Sequence, residues 1–156
     1  MQIRPAQTRD IPGILELLRQ VGDVHHGIRP DVFRSGAQKY DASDLEALLK
    51  DPTRPIFVAV RGTFVAGYCF CVHKEFADHE IFAPRRELYI DDLCVEETLR
   101  GRGIARALYG HAESYGKEQG FDVITLNVWC GNDTAMQFYE KSGMSPRNIH
   151  MEKKLC

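Results

Sequence analysis

LYIDDLCVEETLRGRGIA, residues 88–105, decides how the rest of the chain is read. Leu88, Tyr89, Ile90, Leu93, Cys94 and Val95 form a short apolar run, which predicts a strand buried on both faces. Asp91 and Asp92 interrupt it. A carboxylate in such a place needs a partner or a task, because burying an unpaired charge is costly. Arg100-Gly101-Arg102-Gly103-Ile104-Ala105 then opens a helix with apolar positions at Ile104, Leu108, Ala112 and Tyr115. Strand, side-chain-poor loop and helix N-terminus together make an anion site, since free N–H groups and the helix dipole converge there. Two glycines at this spacing are neither a dinucleotide fingerprint nor a P-loop. Alone, the pattern leaves open an Arg/Gly turn that binds nothing.

Further along, Asn132 is a suitable cap for a last helix that Gly143 ends. Within it Ala135 and Tyr139 are four apart and share a face. A small residue one turn before a phenol leaves room for a slender ligand to reach the hydroxyl. By spacing alone, Ala135, Phe138 and Tyr139 also read as an ordinary core stripe.

Taken together, these two stretches resemble the GNAT family of N-acetyltransferases. Arg100-x-x-Gly103-x-Ala105, after a strand ending Leu93-Cys94-Val95, is similar to the family's pyrophosphate-binding motif, Q/R-x-x-G-x-G/A. Asn132-Asp133-Thr134-Ala135-Met136-Gln137-Phe138-Tyr139-Glu140-Lys141-Ser142-Gly143-Met144 resembles its N-x-x-A-x-x-F-Y-x-K-x-G-F segment, with Met144 in place of Phe. The resemblance covers essentially the whole chain. It implies an α/β fold: a mixed, mostly antiparallel sheet of six to seven strands with a splayed parallel pair, flanked by about four helices.

For function, the resemblance implies acetyl-CoA as cosubstrate, held in a V-shaped opening between strands 88–95 and 122–130. Backbone groups of Leu93, Cys94 and Val95 would meet the pantetheine arm and acetyl carbonyl. Arg100, Gly101, Arg102, Gly103, Ile104 and Ala105 would hold the pyrophosphate, with Asn132 and Ala135 along the arm. Tyr139 maps onto the residue that hydrogen-bonds the coenzyme sulfur and protonates the departing thiolate. The acceptor amine must lose a proton before it attacks. Asp91 is the first choice for the base and Asp92 for a substrate clamp, with the reverse assignment open. A carboxylate ion-paired with Arg85, Arg86 or Arg100 is the alternative, and Glu87 and Glu75 are outside candidates for the base. Neighbouring strand residues point to opposite faces, so at most one of the pair should face the acceptor unless a bulge intervenes.

The remaining segments read as follows. Residues 2–7 predict a strand; Ile11, Ile14, Leu15 and Leu18 predict a helix capped by Thr8, with Pro12 in its first turn, stopping near Gly22. Residues 21–41 then read as a long connector, and its His25 and His26 are either acceptor-binding groups or solvated loop histidines. Ser43-Asp44-Leu45-Glu46 matches a capping box for a short helix ending before Pro52. Residues 55–60 and 63–72 predict an antiparallel hairpin about Arg61-Gly62. Period two places Phe64, Ala66, Tyr68, Phe70 and Val72 on one face and Val65, Gly67, Cys69 and Cys71 on the other. Residues 74–86 form a second irregular loop. A helix over 103–119 and a strand over 122–130 follow, and the tail reads as a closing strand.

At 156 residues the chain predicts a single domain spanning 1–156. Hydrophobic content of 44% and charged content of 27% are ordinary for a globular protein. A net charge of -2 gives no electrostatic reason for nucleic acid or an anionic membrane as partner. No apolar run or signal pattern suggests a membrane or export, so the expectation is a cytoplasmic monomer or homodimer. Cys69, Cys71, Cys94 and Cys130 lie in apolar runs and read as buried reduced thiols, and no spacing suggests a metal. The resemblance leaves three functions open: N-acetylation of a small amine; N-acetylation of a protein or peptide amine, as in ribosomal-protein acetyltransferases; and non-catalytic acyl-CoA binding.

Overall fold

In the computed structural model, which describes residues 1–156, the chain forms five strands and four α-helices. They are β1 (Gln2–Pro5), α1 (Ile11–Ile28), α2 (Ala42–Leu48), β2 (Ile56–Arg61), β3 (Phe64–Glu75), β4 (Arg86–Val95), α3 (Ile104–Glu118), β5 (Val123–Leu126) and α4 (Asp133–Lys141). The strands form one sheet in the order β1-β2-β3-β4-β5. The first four pair antiparallel, and β5 lies parallel to β4. The α/β architecture and the four helices agree with expectation, with five strands rather than six or seven. The tail from Met144 onward joins no ladder. Side chains hold it instead: Arg147 reaches the buried Glu87 at 2.8 Å, and Arg29 reaches Glu152 at 2.6 Å.

The sheet has a core on each face. On one, Ile14, Leu17 and Leu18 of α1 and Leu45 of α2 meet Val58, Tyr68, Phe70 and Cys94. On the other, Leu108 and Ala112 of α3 meet Cys69, Cys71, Leu88 and Ile90. Each fully buried Leu or Ile contributes roughly 1.5–3 kcal/mol through removal from water.

Several local expectations change. α1 does not stop near Gly22 but continues to Ile28, so His25 and His26 stand in its last turn rather than in a connector. Gly22 is required for another reason: a Cβ there would lie 2.5 Å from the Ala37 carbonyl oxygen, so the glycine admits the returning chain. Pro12 does occupy the first turn, but Thr8 is not the cap. The residue before α1 is Asp10, buried and bound by Arg4 at 2.7 Å. α2 is capped two residues earlier than its sequence suggests, by a reciprocal box between Asp41 and Asp44 rather than from Ser43. In β3 the faces expected for Val65 and Ala66 are exchanged. A bulge opposite Ala59 and Val60 puts Val65 with Tyr68 and Phe70, and Ala66 with Cys69 and Cys71. Cys69, Cys71 and Cys94 are buried as expected, whereas Cys130 is exposed because β5 ends at Leu126.

Candidate active site

The site begins where the two parallel strands part. β4 and β5 stay in register from Glu87 opposite Val123 to Ile90 opposite Leu126, and there the pairing ends. β4 continues to Val95 with β3 as its only neighbour. Backbone direction along this free edge follows from two bonds. Glu96 N–H donates to the Ala66 carbonyl on the β3 side, whereas the Val95 carbonyl accepts from Arg100 Nε at 3.2 Å, away from it. Main-chain groups alternate sides along a strand, so the N–H groups of Val95 and Leu93 also face the gap. A ligand lying in the gap meets unpaired main-chain donors.

A crevice of about 1150 Å³ occupies the gap. At one end lie Gly101 and Gly103, with φ of 77° and 81°. A Cβ at either would meet only open space, so the left-handed backbone, not crowding, calls for glycine. Gly103 is the cap of α3 and carries no side chain to satisfy the helix N–H groups, which stay free. Arg100, Gly101, Gly103, Ile104 and Ala105 line the crevice, whereas Arg102 does not. Opposite, Asn132 caps α4, its Oδ1 accepting from Ala135 N–H at 3.3 Å. Ala135 and Tyr139 line the crevice on that helix. Burial, then the nearby Cys69, Asp92 and Tyr109, hold the Tyr139 hydroxyl well above its ordinary pKa, so the phenol stays protonated.

Asp91 and Asp92 occupy the other end. The β3–β4 ladder pairs Cys71 with Ile90 and Phe70 with Asp92, so Asp91 is the extra residue of a bulge. The consequence overrides the alternation expected of neighbours. Asp91 Oδ2 accepts from Lys39 Nζ at 2.7 Å and from the Tyr40 hydroxyl at 3.1 Å. Asp92 accepts from the Tyr68 hydroxyl at 2.7 Å. Tyr40 and Tyr68 belong to the core beneath α1 and α2, so both carboxylates serve the same face. None of the arginines foreseen as partners binds them: Arg85 pairs with Glu87, Arg86 with Glu75, and Arg100 with the Val95 carbonyl. Glu87 and Glu75 are thereby committed and lie outside the crevice. Burial raises the Asp92 pKa, and the Tyr68 bond and the Lys39 charge only partly offset it.

His25 lines the crevice, its ring stacked on Phe33 at 5.0 Å, and Phe33 meets Trp129 edge-on at 5.1 Å. These rings join α1, the α1–α2 connector and the segment after β5 along the crevice. His26 does not line the crevice, because its Nδ1 lies 2.7 Å from the Phe33 carbonyl oxygen. Cys94 contributes backbone only, as its thiol is buried beside the Leu17 carbonyl and pushed up to about 12. Lys39, Tyr40, Tyr68, Phe33 and Trp129 were not singled out as site residues by sequence reasoning. The contacts of Lys39, Tyr40 and Tyr68 with the acids join residues 24 to 52 positions apart, and no local period encodes them.

Comparison with known proteins accords with this geometry. The sequence model of the acetyltransferase (GNAT) family matches residues 23–144. An uncharacterized N-acetyltransferase of Bacillus subtilis, YdgE, is 33% identical over 73 residues, 47% of this chain and 46% of that protein. A second from the same organism, YycN, is 31% identical over 72 residues, 46% of each. The chain thus spans about half the length of these curated relatives. The crystal structure of a mutant of the BH1408 protein from Bacillus halodurans is 32% identical, covers 100% of both chains and superposes with a TM-score of 0.95. An aminoglycoside acetyltransferase from a soil metagenome, solved with sisomicin, shares the fold at a TM-score of 0.74 and 19% identity, over 99% of this chain and 96% of that one. With the profile matching most of its length, the chain belongs to the acetyltransferase (GNAT) family.

Proposed function

We propose that residues 1–156 form a single domain that transfers the acetyl group of acetyl-CoA to the primary amine of a small-molecule acceptor, by direct attack. One observation carries the reading: a single crevice joins a helix N-terminus with no side-chain cap, the free edge of β4, a half-buried phenol and two carboxylates. These groups fit a phosphorylated thioester. The N–H groups after Gly103 suit the pyrophosphate, Leu93 and Val95 the arm and carbonyl, and Asn132 and Ala135 the arm's other side.

Direct attack then works by placement and electrostatics. The acceptor amine loses its proton to a carboxylate, directly or through water, and its nitrogen attacks the thioester carbonyl. Asp92 suits the base better than Asp91, reversing the first choice made from sequence. Asp91 is already engaged by an ammonium and a phenol, whereas Asp92 has only the Tyr68 hydroxyl and a raised pKa. Asp91 then serves as the clamp. The β4 N–H groups stabilise the oxyanion. As the carbon–sulfur bond breaks, the excess proton left on the attacking nitrogen passes to the departing sulfur, and Tyr139 hydrogen-bonds that sulfur. A phenol above ~10 is a weaker acid than a thiol near ~8.5, so the hydrogen bond contributes more than complete proton transfer.

The Phe33–Trp129 contact narrows the acceptor end and favours a small acceptor over a protein chain. We place the enzyme in the cytoplasm as a monomer or homodimer. No helix is long and apolar enough to cross a membrane. Thiol release from acetyl-CoA with a panel of amines, followed by the acceptor's gain of one acetyl mass, tests the reading. Amine-dependent release supports it, and coenzyme binding without release for any amine would leave only an acyl-CoA-binding module.

A further inference from the structure

We propose that the acceptor is an amine that also carries a carboxylate, recognised by Lys39 and Arg34 of the α1–α2 connector. The proposal rests on the acetyltransferase reading and adds the chemical class of the acceptor to it. Two acids, Asp91 and Asp92, two cations from one connector, Arg34 and Lys39, and His25 all line the same crevice, with Lys39 in contact with Asp91. The acids alone would suit a polycation. Lys39 changes that balance, because its ammonium lies 2.7 Å from Asp91 and cancels that charge locally.

An ammonium has three donors, and Asp91 uses one. The Lys39 side chain is 47% exposed, so its other donors remain open to a ligand. Arg34 pairs with no acid of the protein and lines the same space. The site therefore offers one acid paired with no cation, Asp92, whose one side-chain partner is the Tyr68 hydroxyl, and two cationic groups with donors to spare. An ammonium and a carboxylate on one small molecule match this set. A diamine would bring a second positive charge against Lys39 and Arg34, a like-charge contact that costs affinity. Because a carboxylate accepts charge-assisted bonds from guanidinium and ammonium, it gains from both.

The test compares amino acids and ω-amino acids with their amides and with diamines of matching length, by thiol-release kinetics on the full chain. The carboxylated acceptors are expected to lead in kcat/KM by roughly tenfold or more, the effect of one or two charge-assisted hydrogen bonds. Lys39→Met should lower kcat/KM for the carboxylated acceptor by about tenfold and raise it for the diamine, since Asp91 is then left without its cation. Arg34→Gln should lower the first without raising the second. A uniform fall across all acceptors in Lys39→Met would mark a merely structural role and overturn the proposal. Amides or diamines outrunning the carboxylates in the unmodified protein would overturn it too, with acetyl transfer still standing. If no amine in the panel supports thiol release, both readings fall.

Discussion

The Tyr68 hydroxyl donates to the Asp92 carboxylate at 2.7 Å, joining the centre of β3 to the mouth of the crevice. Tyr68 is fully buried, so this phenol has no water to replace the acid as partner. Burial raises the Asp92 pKa, and the Tyr68 bond is the first influence opposing that rise. Tyr68→Phe removes the opposition. The acid limb of the kcat/KM–pH profile should then move to higher pH, because the base stays protonated longer. A limb that does not move would show that Asp92 is not the group being titrated.

Tyr139→Phe keeps the ring against Tyr109 and Phe138 and deletes only the hydroxyl. Turnover should fall by about 10²-fold, the scale of one lost hydrogen-bond donor to charge developing in the transition state, while coenzyme affinity measured by calorimetry changes little. Unaltered turnover would remove the phenol from the reaction.

Gly103→Val places a β-branched residue at φ 81°, where such side chains are strained, and at the first N–H groups of α3. Coenzyme affinity should weaken by more than tenfold, with amide CD of the folded protein retained. The variant tests the phosphate cradle separately from the chemistry, since the acids and the phenol are untouched.

Away from the site, Asp10 is nearly inaccessible and is held by Arg4 at 2.7 and 2.9 Å and by the Gln7 N–H at 2.8 Å. Burial pushes its pKa up, but the Arg4 and Gln7 bonds prevail and the net shift is downward. A carboxylate with a depressed folded pKa contributes stability that is fully present above the unfolded value near ~3.9 and is lost as pH falls through the folded one. Asp10→Asn should therefore cost about 2 kcal/mol at neutral pH in urea melts, because Arg4, itself partly buried, loses its charge partner. The difference from the parent protein should shrink in acid. An equal loss at both pH values would contradict the ion-pair account.

What could be read from sequence was the local part. Residues 88–105 carry their own strand, turn and helix start, so these elements were legible, and the resemblance directed attention to Gly101, Gly103 and Tyr139, which line one crevice. What depends on a neighbour was hidden. Gly22 reads as a helix stop until the Ala37 carbonyl is seen against it. The Asp91 bulge exists only relative to β3, and it alone puts both acids on one face. Lys39 has no period or motif to mark it, because its partner is 52 residues away. Cys130 looked buried because its apolar neighbours continue β5 in sequence, whereas in space β5 ends where the crevice opens.

A crystal structure with coenzyme A bound tests the central claim most directly. The account predicts the pyrophosphate on the N–H groups at 101–105, the arm along the β4 edge at Leu93 and Val95, and the sulfur within hydrogen-bonding reach of the Tyr139 hydroxyl. Coenzyme bound elsewhere, or the gap between β4 and β5 closed by side chains, would contradict it.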